Sequence, residues 1–128
     1  MIKIGVLGAG RGIDIAKNFM LQDCEIVALC EINEKRAEDG LKNLGMEVPV
    51  FKDFDEFLKI GMDAVIIANY FHEHTPFAIK CFEKGIHVFC ECISNGTMAE
   101  GVELLRAYEK SNSIFMFVYP LILKSLEK

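Results

Sequence analysis

Apolar and polar positions fall into blocks along this chain, and the blocks alternate between two periods. Short, nearly unbroken apolar runs stand at Lys3–Leu7, Glu25–Cys30, Val48–Phe51, Asp63–Ala68, Ile86–Cys90 and Ile114–Tyr119. Parallel strands covered on both faces read this way. Between the runs, apolar residues recur at helical spacing. Ile13, Ala16, Phe19 and Met20 predict a helix over about Gly12–Leu21, and a second covers Glu34–Leu44 and stops at Gly45. Phe54, Phe57 and Leu58 mark a short helix over Asp53–Ile60, closed by Gly61. After a loop at Asn69–Thr75, Pro76 opens a fourth helix, where its missing N–H costs nothing, and Gly85 ends it. Thr97 and Glu100 form a capping box for a fifth, which reaches Ser111 with Met98, Val102, Leu105 and Tyr108 as its apolar stripe. Parallel neighbours need crossover connections, so the pattern predicts a three-layer α/β domain with a doubly wound, six-stranded parallel sheet.

Ligands of such sheets bind beyond the carboxyl ends of the strands. The unusual residues of this chain gather there, at Gly8–Gly12, Glu31, Asn69–His74 and Glu91–Gly96. At the first strand-to-helix junction stands Gly8-Ala9-Gly10-Arg11-Gly12-Ile13. Gly8 permits a tight turn, and Gly10 lets the backbone approach a diphosphate held by the positive end of the following helix. This is the order of the Rossmann dinucleotide fingerprint, although the third glycine of G-x-G-x-x-G falls on Ile13 and Gly12 comes one place early. Glu31 ends the second strand 21 residues after Gly10, close to the position at which an acid accepts hydrogen bonds from an adenosine ribose. Its alternative is a plain solvated role opening the polar loop Glu31–Glu34. A carboxylate there repels a 2′-phosphate and favours NAD over NADP. Arg36 is the counterweight, since it could hold that phosphate; the expected place for it is the exposed face of the second helix.

Composition narrows the partners. The 128 residues carry a net charge of −5 and no basic stripe, which argues against nucleic acid. No apolar run reaches the roughly 18 residues of a membrane span. Five cysteines, an odd number, and a Met1 end that enters a strand directly predict reduced thiols in a cytoplasmic protein. His72, His74, Cys90 and Cys92 make a zinc-like ligand set near two strand ends. Cys90 and Cys92 share one face of an extended strand while the histidines sit in a loop, so no metal is expected. Phe115–Tyr119 reads as core strand rather than a cofactor box, and part of it predicts an apolar patch open to self-association.

Four stretches together carry a family likeness: Ile4–Ile13, Val27–Arg36, Asp63–His74 and Gly85–Glu91. Over roughly residues 2–119 the chain resembles the N-terminal domain of the glucose-fructose oxidoreductase / inositol dehydrogenase (Gfo/Idh/MocA) family. The resemblance implies a domain binding NAD(H) or NADP(H), followed by a second α/β domain that supplies most of a substrate site for hydride transfer on sugars, polyols or related small molecules. It implies cofactor contacts at Gly8, Gly10, Arg11, Gly12, Ile13, Glu31, Ile32, Arg36 and Ala68. Asn69, Tyr70 and His74 would lie on the nicotinamide side, with Glu91 and Cys92 beyond. Where the family continues its fifth strand with Glu-Lys-Pro, this chain has Glu91-Cys92-Ile93. A thiol of ordinary pKa, about 8.5, is a poor substitute for a lysine that steers a hydroxyl proton.

The expected layout is therefore a dinucleotide domain over 1–119, with 120–128 starting a connection to a substrate domain that this chain lacks. Catalysis by the chain alone is expected to be incomplete, with Cys92 and His74 as the candidate catalytic groups. A non-catalytic dinucleotide-binding or sensor module working with a partner chain is the alternative.

Overall fold

Each glycine stop and apolar run matures into an element of one sheet with helices on both faces. The structure, a computed structural model, describes residues 1–68, 74–91 and 98–118. In chain order these form β1 (Ile2–Leu7), α1 (Arg11–Phe19), β2 (Cys24–Cys30), α2 (Glu34–Leu44), β3 (Val50–Phe51), α3 (Phe54–Leu58), β4 (Ala64–Ile67), α4 (His74–Glu83), β5 (His87–Glu91), α5 (Met98–Lys110) and β6 (Phe115–Val118). All pairings are parallel and the strand order is β3-β2-β1-β4-β5-β6. The order reverses between β1 and β4, which opens a crevice at the carboxyl ends of both. Ile4–Leu7 pair residue for residue with Ala64–Ile67 across that seam.

Two apolar clusters sandwich the sheet. Ile4, Val6, Ile13, Ile15 and Ile66 pack on the α1/α2 face, while Phe54, Phe57, Val65, Phe82 and Val88 pack on the α3/α4 face. Every residue of β4 is buried, as its unbroken apolar run requires.

Several boundaries shift for local reasons. β3 shrinks to two residues because Pro49 has no N–H for a ladder, although its carbonyl accepts from Leu29 N–H at 3.0 Å. α3 is held to one short stretch capped by Asp53, whose carboxylate accepts from Asp55 N–H at 3.2 Å. α4 begins at His74, two residues before Pro76, so His74 and Thr75 belong to a helix rather than to a loop. Pro76 remains in the first turn, where an N–H has no helical acceptor.

The expected apolar stripe of α5 is a correction. Val102 and Leu105 are 41% and 55% exposed, whereas Leu104 is buried, Ala107 packs against the core, and Tyr108, 39% exposed, sets its ring edge-on to the core residue Phe82 at 5.7 Å. The helix presents the neighbouring stripe to its sheet. The capping box at Thr97, the loop at Asn69–Glu73 and the expected boundary at 119–120 lie outside the described residues. Among the described residues no helix is long and apolar enough to cross a membrane.

Candidate functional site

The crevice at the β1/β4 switch point is shaped first by backbone. Gly8 adopts φ +103°, a conformation that side chains with a Cβ resist. Its N–H donates to Cys30 O at 3.0 Å, and Ala68 N–H donates to Leu7 O at 2.9 Å, tying the turn to the ends of β2 and β4. Gly10 is the N-cap of α1 and provides no side-chain cap, which leaves the positive end of that helix open to an anion. A Cβ at Gly12 would sit 2.7 Å from Val6 Cγ1. The close helix-to-strand approach that the fingerprint assigns to its third glycine is thus made at Gly12.

Ile13, expected among the cofactor contacts, is fully buried, and its N–H donates to Gly10 O at 3.2 Å. Its side chain packs toward α2, where a Cβ on Gly40 would come within 3.2 Å of Ile13 Cγ1. It supports the loop from behind and offers no side-chain surface to a ligand.

Glu31 is fixed at the end of β2 by two backbone donors. Ala9 N–H reaches Oε1 at 2.9 Å and Asn33 N–H reaches Oε2 at 3.1 Å, with the side chain only 12% exposed. Asn33 in turn caps α2 by accepting from Arg36 N–H at 3.0 Å. Arg36 does not simply face solvent. Its Nε lies 3.9 Å from Glu31 Oε1, and its Nη2 lies 2.9 Å from where a Cβ on Gly10 would stand. The guanidinium therefore reaches back across the glycine turn.

These groups open onto a cavity of about 630 Å³. Gly8, Arg11, Glu31, Ile32, Arg36 and Ala68 line it, six of the positions read from sequence. Lys52, Asp53, Phe54, Phe77 and Lys80 also line it and were not read from sequence as site residues. Lys52 and Asp53 directly follow β3, so the strand-end rule that singles out Glu31 would have flagged them had it been applied to so short a strand. Phe54 and Phe77 pack with ring centroids 4.7 Å apart. Lys80 pairs with Asp55 at 3.0 Å, and Lys52 with Glu34 at 2.7 Å. Cys30 also lines the cavity; burial, with the Asp53 and Glu31 charges, pushes its thiol up to about 12, so it stays protonated at neutral pH.

Asn69, Tyr70 and Cys92 lie outside the described residues, as do the side chains of His74 and Glu91. Their backbones start α4 and end β5. Among the described residues, no group of three or more His, Cys, Asp or Glu side chains is placed to hold a metal.

A glycine turn at the switch point, an open helix N-terminus and a pinned carboxylate 21 residues on define a dinucleotide-binding domain. Residues 2–119 match the model of an oxidoreductase family with an NAD-binding Rossmann fold, Gfo/Idh/MocA, and the chain belongs to that family. It is 29% identical over 116 residues to the myo-inositol 2-dehydrogenase of Thermotoga maritima, which covers 88% of this chain and 34% of that protein. It is 27% identical over 130 residues to a glycosyl hydrolase family 109 protein of Stenotrophomonas maltophilia, covering 91% of this chain and 29% of that one. The myo-inositol dehydrogenase of Lactobacillus casei, solved with NAD(H) and myo-inositol, shares the fold with a TM-score of 0.84 at 19% identity, over 91% of this chain and 36% of that one. The chain spans about a third of the length of these relatives.

Proposed function

We propose that this chain is the nucleotide-binding part of an oxidoreductase that moves hydride between NAD and a sugar, polyol or related small molecule. The pinned carboxylate of Glu31 carries the reading. Each of its oxygens accepts one backbone N–H and keeps lone pairs for the two hydroxyls of an adenosine ribose. A 2′-phosphate brought to the same place would meet a negative charge that cannot turn away, so NAD is favoured over NADP.

The cavity lining supports the diphosphate and adenosine roles, and family membership supports those at the nicotinamide end. Gly8, Gly10, Arg11 and Gly12 form the diphosphate cradle at the open end of α1, and Ile32 and Ala68 flank the adenosine side. Asn69, Tyr70, His74, Glu91 and Cys92 belong to the nicotinamide end. Bound there, the nicotinamide supplies the hydride acceptor. The chain's own work is to bind, orient and neutralise it. Cys92 at the lysine position leaves proton transfer without its usual group, which supports the second reading, a dinucleotide-binding module that depends on a partner chain. We infer further a domain over 1–119 with a connection over 120–128. A cytoplasmic setting is supported by the odd set of five cysteines. Self-association is supported by exposed Ile114 and Met116.

Calorimetric titration of the chain with NADH and NADPH tests this. NADH is expected to bind in the micromolar range, and Glu31→Ala to weaken it about tenfold or more, the cost of lost hydrogen bonds to a charged acceptor. Absence of NADH binding overturns the proposal.

A further inference from the structure

Of the four cations on the cavity wall, Arg11, Arg36, Lys52 and Lys80, two flank Glu31: Arg36 through its Nε, and Lys52, whose neighbour Phe51 accepts the Glu31 N–H at 2.9 Å. Recognition of a 2′-phosphate needs such cations with their charge unspent. Neither is unspent here. Arg36 lies 3.9 Å from the fixed carboxylate of Glu31, and Lys52 Nζ donates to Glu34 Oε1 at 2.7 Å. We propose that Glu34 is a second determinant of nucleotide choice: by holding Lys52, it denies a 2′-phosphate a cation beside Glu31 that Glu31 does not itself balance.

This rests on the reading of the cavity as a dinucleotide site. Glu34 acts through Lys52 and is therefore a positioning residue, not a ligand. It stands in the first turn of α2, where the positive end of a helix favours a carboxylate. The Lys52 ammonium, by hydrogen bond and then by charge, holds the Glu34 carboxyl below its ordinary range. Glu34 is thus charged at any pH used for binding. An NAD ribose needs only Glu31 and is indifferent to this pair. A 2′-phosphate, with nearly two negative charges, would have to break the Lys52–Glu34 contact and still face Glu34.

The test titrates the full chain with NADH and NADPH by nucleotide fluorescence. The variants are Glu34→Gln, Glu34→Asp, Lys52→Ala and the double variant Glu34→Gln/Lys52→Ala. Glu34→Gln frees Lys52 and should tighten NADPH about two- to fivefold while leaving NADH unchanged, the scale of an exposed ion pair, since the Lys52 and Glu34 side chains are 62% and 78% exposed. Glu34→Asp, which keeps the carboxylate, should behave as the parent. The gain should vanish in the double variant and shrink at high salt. Unchanged NADPH affinity in Glu34→Gln, with NADH binding intact, overturns the role of Glu34 and leaves the dinucleotide reading standing. Failure of the unmodified chain to bind either nucleotide overturns both.

Discussion

The two halves of the sheet are finished to different degrees. In the first half, β1 to β3 with α1 and α2, polar groups at the carboxyl edge find partners: Gly8 N–H on Cys30, Ala9 N–H on Glu31, Lys52 on Glu34. In the second half, α5 and β6 leave large apolar side chains in water, with Leu105 55%, Ile114 55% and Met116 51% exposed. Helix α2 buries one narrow face at Ala37, Gly40 and Leu44, whereas α5 carries two apolar stripes and its sheet covers only one. Large apolar side chains reach water in the first half too, Leu21 at 69% and Ile32 at 76%, but in the second they recur at element spacing, Val102 and Leu105 on α5 and Ile114 and Met116 at β6, as an uncovered face would.

The contrast can be broken most severely at Gly12. Its missing Cβ leaves 2.7 Å to Val6 Cγ1, so Gly12→Val should destabilise the fold by about 2–3 kcal/mol in urea unfolding, by overpacking. A loss below about 0.5 kcal/mol would mean that α1 can lift from β1 without penalty.

Alkali provides a measurement that joins the halves. Cys30 in β2 and Cys81 in α4 are both pushed up from 9.0 to about 12, chiefly by burial. A raised folded pKa contributes stability that is intact below pH 9 and is lost as pH climbs toward 12. Each thiol should therefore remove roughly 1 kcal/mol of stability by pH 10. Cys30→Ala and Cys81→Ala should each flatten that fall by the same amount if the halves unfold together. A flattening seen with only one of them would show that they unfold apart.

The smallest expected effect is at the exposed stripe of α5. Leu105→Gln should change unfolding free energy by no more than about 0.5 kcal/mol, because the side chain is mostly in water already. It should also lower self-association in sedimentation. A loss of several kcal/mol would show that the stripe is buried in solution.

Much of this was legible in sequence because it is local. The span of α2 is as the pattern predicts, ended by Gly45 at φ +81°. Gly8 and Glu31 stand where turn geometry and strand ends require them. What escaped depends on contacts between distant segments. Either stripe of α5 has helical spacing, and only packing against the core chose Leu104 and Ala107 over Val102 and Leu105. Ile13, read both as the first apolar position of α1 and as a cofactor contact, keeps its side chain for the first role once α2 closes over it. Lys52 gained meaning only once β3 brought it to Glu34, 18 residues away along the chain.

The seam between β1 and β4 bears on how the site comes to exist. Lys3 N–H donates to Asp63 Oδ2 at 2.9 Å and Asp63 N–H to Lys3 O at 2.8 Å, joining residues 60 apart along the chain. Contacts of such separation carry a loop-closure cost that local helices and turns do not, and they form slowly. The glycine turn is tied to β2 through Gly8 and to β4 through Leu7 and Ala68. Until that long loop closes, the turn has only one of its two supports. A chain part-way through folding, with both halves formed but not yet joined, would have no cradle to offer, so capture of nucleotide would report the last stage of assembly.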